Sequence, residues 1–184
     1  MTSWNILSPI EETLLDKLQS GDSVRISGTI FTARDAAHKR LIDALTSDYP
    51  LPFEIQGQTI FYMGPSPTRP GRTIGSCGPT TSGRMDALTP ALLHACVRAM
   101  IGKGERSKEV RESQKIHRAV YFVTYGGAGA LLSRTVHRAD MVAYSELGAE
   151  AIMRLEVEDF PAIVACDING TDLFEEQRIK YYRT

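Results

Sequence analysis

Apolar and polar residues alternate from Ser23 to Phe31, and this period of two predicts a β-strand. Directly after it, apolar side chains recur every three or four residues from Ala33 to Leu45, which predicts a helix. The strand therefore passes into the helix at Thr32–Arg34, without a connecting loop.

A proline-rich stretch follows this first strand and helix. Residues 53–63 (FEIQGQTIFYM) predict a hairpin that turns at Gln56–Gly57–Gln58, and residues 64–72 (GPSPTRPGR) predict a rigid exposed loop. Residues 73–77 are predicted to be short and extended. The segment GPTTSG then leads into a helix that is predicted to run from about Arg84 to Arg98, with Cys96 inside it.

The second half of the chain continues to alternate strands and helices. We expect a strand at Met100–Ile101, a charged helix over residues 107–117, and a buried strand over residues 119–124 that ends in a glycine turn and another helix. Residues 141–144 and 162–167 are further strand candidates, whereas residues 157–162 look like a turn and a strand edge. No segment has the composition of a linker. The pattern predicts one α/β domain with a mixed sheet over residues 1–184.

Composition narrows the classes of protein. The chain has 184 residues with 21 Lys and Arg against 22 Asp and Glu, a net charge of −1, and 42% of its residues are apolar. This length and composition predict one sizeable core. The absence of a basic excess argues against nucleic acid as a partner. No apolar run reaches the length of a membrane helix, and the N-terminal residues do not follow the pattern of a signal peptide.

The three cysteines are the first chemical signal. Cys77, Cys96 and Cys166 are widely spaced and form no CxxC motif, so we interpret them as reduced thiols of a cytoplasmic protein. Three is also the number of ligands of an iron–sulfur cluster with one open iron site. That alternative stays open on the residues alone.

Residues 76–85 (SCGPTTSGRM) are the strongest candidate for a functional site. A helix start exposes unpaired N–H groups, Thr80 and Thr81 add hydroxyls, and Arg84 adds a guanidinium that can clamp a carboxylate or phosphate. The alternative is a capped helix whose threonines satisfy its own donors. Spacing alone does not separate the two interpretations.

Two further positions add positive charge. Arg34 lies at the junction of strand and helix, with His38 four residues later on the same helical face, and Lys103 lies between two glycines. A surface ion pair, a buried histidine and a solvated turn lysine are the ordinary alternatives. Arg34, Arg84 and Lys103 together suit a small diacid better than a nucleotide, and the glycine turn at residues 125–130 matches no nucleotide-binding motif. A general base is missing, because a threonine hydroxyl is a very weak base.

Five segments carry a resemblance to a known family over nearly the whole chain. They are residues 21–41 (GDSVRISGTIFTARDAAHKRL), 78–86 (GPTTSGRMD), 102–107 (GKGERS), 125–132 (YGGAGALL) and 144–174 (YSELGAEAIMRLEVEDFPAIVACDINGTDLF). In this order they resemble the β subunit of the iron–sulfur (class I) fumarate hydratase and L-tartrate dehydratase family. The resemblance implies an α/β fold of the swivelling β/β/α type, which is the C-terminal domain of single-chain members.

The resemblance also implies roles for individual residues. Thr80 corresponds to the proposed catalytic base, and its alkoxide character is expected to come from a carboxylate of the partner and from nearby cations. The remaining residues either bind the substrate or shape its pocket. Those that bind are Arg34, Arg84, Lys103 and Thr81, and those that shape the pocket are His38, Gly78 and Gly83. Lys103 follows Arg84 by 103 − 84 = 19 positions, one fewer than we expect of fumarase-type members.

The cofactor implied by the resemblance is a [4Fe–4S] cluster carried by a separate α subunit, whose open iron acts as a Lewis acid. Because Cys96 is predicted inside a helix and Cys166 in a buried strand, we expect no cluster and no metal on this chain. The implied partners are the cluster-carrying α subunit and a dicarboxylate substrate, in a dimer of αβ pairs without nucleic acid or membrane.

The expected activity is that of a hydro-lyase which interconverts fumarate and (S)-malate only together with its α subunit. Gly83 favours fumarate, because tartrate dehydratase β subunits tend to carry a larger residue at this position of the family motif. The alternatives are the β subunit of an L-tartrate dehydratase, and a non-catalytic anion-binding α/β module.

Overall fold

Strands and helices alternate along the described chain. The computed structural model describes residues 2–47 and 49–182. The strands are β1 (Ser3–Ser8), β2 (Ser23–Thr32), β3 (Thr59–Phe61), β4 (Ala99–Gly102), β5 (Val120–Val123), β6 (Val136–Ala143) and β7 (Ile152–Cys166). The α-helices are α1 (Glu12–Leu15), α2 (Asp35–Thr46), α3 (Thr89–His94), α4 (Lys108–Ile116), α5 (Gly129–Leu132) and α6 (Leu173–Tyr181). Three 3₁₀ segments lie at Ser82–Met85, Ser133–Thr135 and Ser145–Glu150.

The strands belong to one mixed sheet in the order β1-β2-β3-β4-β5-β7-β6. The neighbours from β1 to β5 are parallel, whereas β7 is antiparallel to β5, to β6 and, along its length, to β2. The pairing of β7 with β2 joins both sides of the parallel strands, so that the sheet curls round on itself. The predicted α/β fold with a mixed sheet is confirmed.

Alternation along the strands divides the core into two clusters. Ile60 and Tyr121 belong to a cluster that packs against α2 and α3, while their neighbours Phe61 and Phe122 belong to a cluster built mainly from the strands themselves. Successive side chains of a strand point to opposite faces, so each short parallel strand is buried on both faces. The result is a strand-on-strand layer and a strand-on-helix layer.

Two predicted elements are wrong. The predicted hairpin over residues 53–63 contains a turn and then β3, which pairs in parallel with β2 and β4. Gly57 has φ +77° and donates from its amide to the carbonyl of Cys96 at 2.8 Å, so the turn is bound to the segment after α3 instead of to a hairpin partner. The predicted extended segment at residues 73–77 contains a bend and forms no strand.

The predicted helix from Arg84 to Arg98 is also wrong in its extent. The chain forms a four-residue 3₁₀ segment at Ser82–Met85, turns, and begins α3 with Pro90 in its first turn. Proline lacks an amide hydrogen and is tolerated only at the start of a helix, so a continuous helix through Pro90 is disfavoured. Cys96 consequently lies beyond the end of α3, in a left-handed conformation with φ +68°.

The last two strands are longer than predicted. β7 continues through residues 157–162, which the sequence indicated as a turn and a strand edge. Leu155 and Val157 are buried, but the next buried side chain is Phe160, because Asp159 has φ +53° and shifts the phase of the alternation. β1, α1 and α6 correspond to no predicted element. In the described part of the chain, no helix is both long enough and apolar enough to cross a membrane.

Candidate active site

The segment containing Thr80 continues the sheet beyond the ends of its parallel strands. The amide of Thr80 donates to the carbonyl of Tyr62 at 2.7 Å, just past the end of β3. The carbonyl of Thr80 accepts from the amide of Lys103 at 3.2 Å, and the carbonyl of Lys103 accepts from the amide of Ser82 at 2.9 Å. Residues 80–82 therefore lie as a short ladder between the ends of β3 and β4. The segment of residues 76–85 and the turn around Lys103, both singled out from the sequence, meet at this ladder.

Arg34 and Arg84 meet around one carboxylate. The Nε atom of Arg84 lies 3.0 Å from Oδ1 of Asp35, and Nε of Arg34 lies 3.9 Å from Oδ2 of the same side chain. Arg34 also reaches Glu150 at 3.4 Å. Because the amide of Arg84 donates to the carbonyl of Thr81 at 3.3 Å, this cluster continues directly into the ladder of Thr80 and Lys103. Arg34 and Asp35 follow β2, Lys103 follows β4, and Thr80 lies beside the end of β3, so the ladder and the cluster lie at the carboxyl ends of parallel strands, where sites of α/β proteins form.

Two of the three cations that the sequence offered are engaged in ion pairs, which for Arg34 was one of the alternatives left open. Arg34 is paired with Asp35 and Glu150, and Arg84 with Asp35, whereas the Lys103 ammonium forms no ion pair within residues 2–47 and 49–182. Asp35 contacts only the Nε atom of Arg84, and the side chain of Arg84 remains about half exposed. The terminal amino groups of Arg84 are therefore oriented and available to an anion, as a bidentate guanidinium–carboxylate contact requires.

His38 lies beneath this cluster as a neutral side chain. It is fully buried, its Nδ1 donates to the carbonyl of Arg34 at 2.9 Å, and its ring meets the edge of Tyr62 at 5.3 Å between centroids. Burial lowers the pKa of His38 to about 4. His38 therefore carries no positive charge at neutral pH, and its role in shaping the pocket stays a prediction.

A buried ion pair under the ladder was not predicted from the sequence. The Nε atom of Arg106 donates to Oδ1 of Asp86 at 2.8 Å, and the amide of Ser107 donates to Oδ2 at 2.7 Å. Arg106 also donates to the hydroxyls of Tyr62 at 3.1 Å and Thr89 at 2.7 Å. Asp86 ends the GPTTSGRMD motif and Arg106 lies in GKGERS, so this pair binds the two motifs to each other. Their membership of two motifs was the only signal in the sequence.

A second buried contact fixes the same two segments. The hydroxyl of Tyr121 donates to the carbonyl of Gly104 at 2.8 Å and lies 2.8 Å from Oγ of Ser82. A Cβ atom on Gly102 would lie 2.0 Å from that Oγ, so only glycine allows the end of β4 to approach Ser82 this closely. Ser82 lies inside the GPTTSGRMD motif and Tyr121 in a predicted buried strand, but the sequence singled out neither residue.

The glycine turn at residues 125–130 lies against the same edge. The carbonyl of Gly129 accepts from the amide of Cys77 at 2.9 Å, and a Cβ atom on Gly126 would lie 3.8 Å from Cδ of Lys103. Gly78 and Gly83 are exposed. A Cβ atom would meet nothing within 4 Å at Gly78 and only a carboxylate oxygen of Asp86, at 4.0 Å, at Gly83. The structure thus brings together the four candidate places of the sequence, which are Arg34 with its helix, residues 76–85, Lys103 and the glycine turn at residues 125–130. The role of the two glycines as pocket-shaping residues stays a prediction.

The cysteines do not fit an iron–sulfur cluster. Cys77 and Cys166 are buried in different core clusters, and burial raises the pKa of each thiol to about 12, which disfavours the thiolate that binds iron. Cys96 lies elsewhere, beyond the end of α3. Among the described residues, no three His, Cys, Asp or Glu side chains are placed to hold a metal ion.

Comparisons with known proteins agree on one family. The model of the family described as "Fumarase C-terminus" matches residues 3–177. The chain is 40% identical over 172 residues to "Fumarate hydratase class I, anaerobic" of Escherichia coli (strain K12), covering 91% of this chain and 31% of that protein. It is 36% identical over 164 residues to "Fumarate hydratase 2" of Leishmania major, covering 88% of this chain and 29% of that protein.

A third relative has the size of this chain. It is the "Putative L(+)-tartrate dehydratase subunit beta" of Methanocaldococcus jannaschii, 38% identical over 172 residues, which are 90% of this chain and 88% of the relative. The chain thus spans about a third of the fumarate hydratases that it matches, but most of the separate subunit.

Proposed function

The chain belongs to the fumarase C-terminus family, and from this membership we propose that it is the β subunit of a two-subunit hydro-lyase interconverting fumarate and (S)-malate. One observation of the structure supports this proposal most directly. The ladder of Thr80 and Lys103 lies beside the cluster of Arg34, Asp35 and Arg84, so a hydroxyl and cationic groups share one edge of the sheet.

These groups suit a substrate with two carboxylates. The terminal amino groups of Arg84 offer a bidentate contact to one carboxylate, and the ammonium of Lys103, across the ladder, offers a point charge to the other. Asp35 holds Arg84 in place from the other side and also pairs with Arg34, which we assign to substrate binding as well. In this proposal Thr81 lines the substrate site, and His38, Gly78 and Gly83 define its walls.

The proposed reaction removes water from (S)-malate and adds it back. A proton leaves the carbon next to one carboxylate, hydroxide leaves the carbon next to the other, and the electrons of the C–H bond form the double bond of fumarate. We assign the proton transfer to the hydroxyl of Thr80. Backbone hydrogen bonds to Tyr62 and Lys103 fix the position of Thr80. In this proposal a carboxylate of the α subunit and nearby cations give its hydroxyl the alkoxide character.

An α subunit completes the proposed enzyme. The thiols of this chain do not fit the [4Fe–4S] cluster that the family resemblance implies, so we assign the cluster to the α subunit, where it supplies Lewis acidity to the leaving hydroxyl. The relative that is a separate subunit β supports a two-chain arrangement. The proposal includes one domain over residues 1–184, a cytoplasmic location and a dimer of αβ pairs.

Anaerobic reconstitution tests this function. We expect this chain alone to hydrate no fumarate, and its co-expression with a cluster-carrying α subunit to yield activity. The valine variant Thr80→Val should remove nearly all of that activity, whereas the matched variant Thr81→Val should retain a larger part of it. Saturable dicarboxylate binding by this chain alone, together with no activity in any reconstitution, would instead indicate the non-catalytic anion-binding module.

L-tartrate is the second candidate substrate. The similarity in size and sequence to the putative tartrate dehydratase subunit beta favours it. The dehydration of malate and the dehydration of tartrate both eliminate water from a hydroxy diacid. The residues described above therefore suit either substrate. The ratio of kcat/KM values for malate and tartrate, measured on the reconstituted complex, decides between them.

A further inference from the structure

A second cationic cleft lies next to the candidate active site. It has a volume of about 240 Å³ and is formed between the loop of residues 66–76 and residues 130–134, around α5 and the segment after it. Its lining includes three arginines and three serines: Arg69, Arg72, Arg134, Ser66, Ser76 and Ser133. It shares no residue with the set Arg34, Thr80, Thr81, Arg84 and Lys103.

The loop that carries two of these arginines is held at its base. The amide of Ser66 donates to the carbonyl of Ser76 at 3.1 Å, and the amide of Ser76 donates to Oγ of Ser66 at 2.9 Å. At the tip, the amide of Arg72 donates to the carbonyl of Arg69 at 3.1 Å, which closes a β-turn. Pro70 and Gly71, with φ +74° at the glycine, are the central residues that a type II turn prefers. Arg69 and Arg72 thus occupy the two ends of one turn.

No acid balances the charge of this cleft. Its lining contains no Asp or Glu, and none of its three guanidinium groups forms an ion pair with any residue in 2–47 or 49–182. The arginines elsewhere near the site behave differently, since Arg34, Arg84 and Arg106 each contact a carboxylate. Three like charges around one small volume repel one another, and an anion between them relieves that repulsion.

We propose that this cleft binds a small anion with at least two negative charges, carried on carboxylate or phosphate groups. Guanidinium groups pair bidentately with both kinds of oxyanion, and the serine hydroxyls add neutral hydrogen bonds. The volume of about 240 Å³ gives room for a small metabolite. This site is separate from the proposed substrate site and does not depend on the proposed function.

Calorimetric titration of the full chain at low ionic strength tests the proposal, with citrate as the polycarboxylate probe and inorganic phosphate as the phosphate probe. We expect one saturable site for at least one of them, and the better probe identifies the oxyanion. Two variants test the arginines: the double variant Arg69→Gln/Arg72→Gln and the single variant Arg134→Gln. Binding should weaken by about tenfold for each arginine removed. Arg25→Gln is the matched control, because Arg25 is exposed on β2 outside the cleft, and it should leave binding unchanged.

Three results would overturn the proposal. The first is the lack of saturable binding of either probe at millimolar concentration. The second is binding that survives the changes at Arg69, Arg72 and Arg134 but is lost in Arg84→Gln, which places the anion in the substrate site. The third extends the first: neither probe binds, and the cleft variants also associate more weakly with the α subunit. The arginines would then pair with acidic side chains of the partner. A failure of the hydratase activity itself leaves the titration unaffected.

Discussion

The Nε atom of Arg84 donates a hydrogen bond to Oδ1 of Asp35 at 3.0 Å, joining two residues that lie 49 positions apart. Asp35 begins α2, which follows β2, whereas Arg84 lies in the 3₁₀ segment that follows Thr81. The contact leaves the outer edge of the guanidinium open. Asp35 is therefore a positioning residue for Arg84 in the proposed enzyme.

Replacing Asp35 should weaken substrate binding more than it slows the chemical step. We expect Asp35→Asn to raise KM for malate by about tenfold, the effect of losing one charge-assisted hydrogen bond, with a smaller change in kcat. Asp43→Asn changes an exposed acid of the same helix and is the control. A fall in kcat at unchanged KM would contradict the positioning role.

Thr80 and Thr81 offer a matched pair for the proton transfer. Valine has the shape of threonine without the hydroxyl, so Thr80→Val should lower kcat of the reconstituted complex by about 10²- to 10⁴-fold, as loss of a general base does. Thr81→Val should affect mainly KM. Steady-state kinetics with malate and fumarate measure both, and equal losses in the two variants would refute the assignment of the base to Thr80.

His38 should make the stability of the chain depend on pH. Its pKa is about 4 in the folded chain, below the ordinary value of 6.5, so between these values the unfolded state binds more protons. Stability is therefore complete above about pH 6.5 and falls as the pH is lowered towards 4, by about 3 kcal/mol in total.

Urea denaturation at about pH 7 and about pH 5 measures this effect. In His38→Asn, which retains a side-chain donor for the carbonyl of Arg34, the difference between the two pH values should shrink. His137→Asn is the control, because His137 is exposed and pairs only with Glu158 at the surface. An unchanged pH dependence in His38→Asn would show that other groups cause it.

The buried pair of Asp86 and Arg106 should matter for stability. The side chain of Arg106 is fully buried, so Asp86→Ala leaves an uncompensated charge inside the protein and should lower the free energy of unfolding by about 3–5 kcal/mol. Asp140→Ala removes a carboxylate that pairs with Arg138 and Arg154 near the surface, and should lower the free energy of unfolding much less. Chemical denaturation compares the two variants, and similar losses would contradict the distinction.

Local pattern was a good guide where one signal ran without interruption. The helix that follows the first strand was predicted from its helical period, and the strand before the glycine turn was predicted from an unbroken run of apolar residues. β7 was missed over half its length because Asp159 shifts the phase of its alternation, and the helix through Pro90 was overestimated because the period of apolar residues continued past a residue that breaks it.

The sequence by itself determined the α/β class, the motifs and the residues to which the family resemblance assigns chemistry, since these depend on residue type and short-range spacing. Only the tertiary structure decided that Asp35 orients Arg84, that Asp86 and Arg106 join two motifs, and that Arg69, Arg72 and Arg134 surround a cleft of their own. Such relationships join positions far apart in the chain. They arise where parallel strands and the loops that follow them converge, and nothing in the local pattern records which side chains then meet.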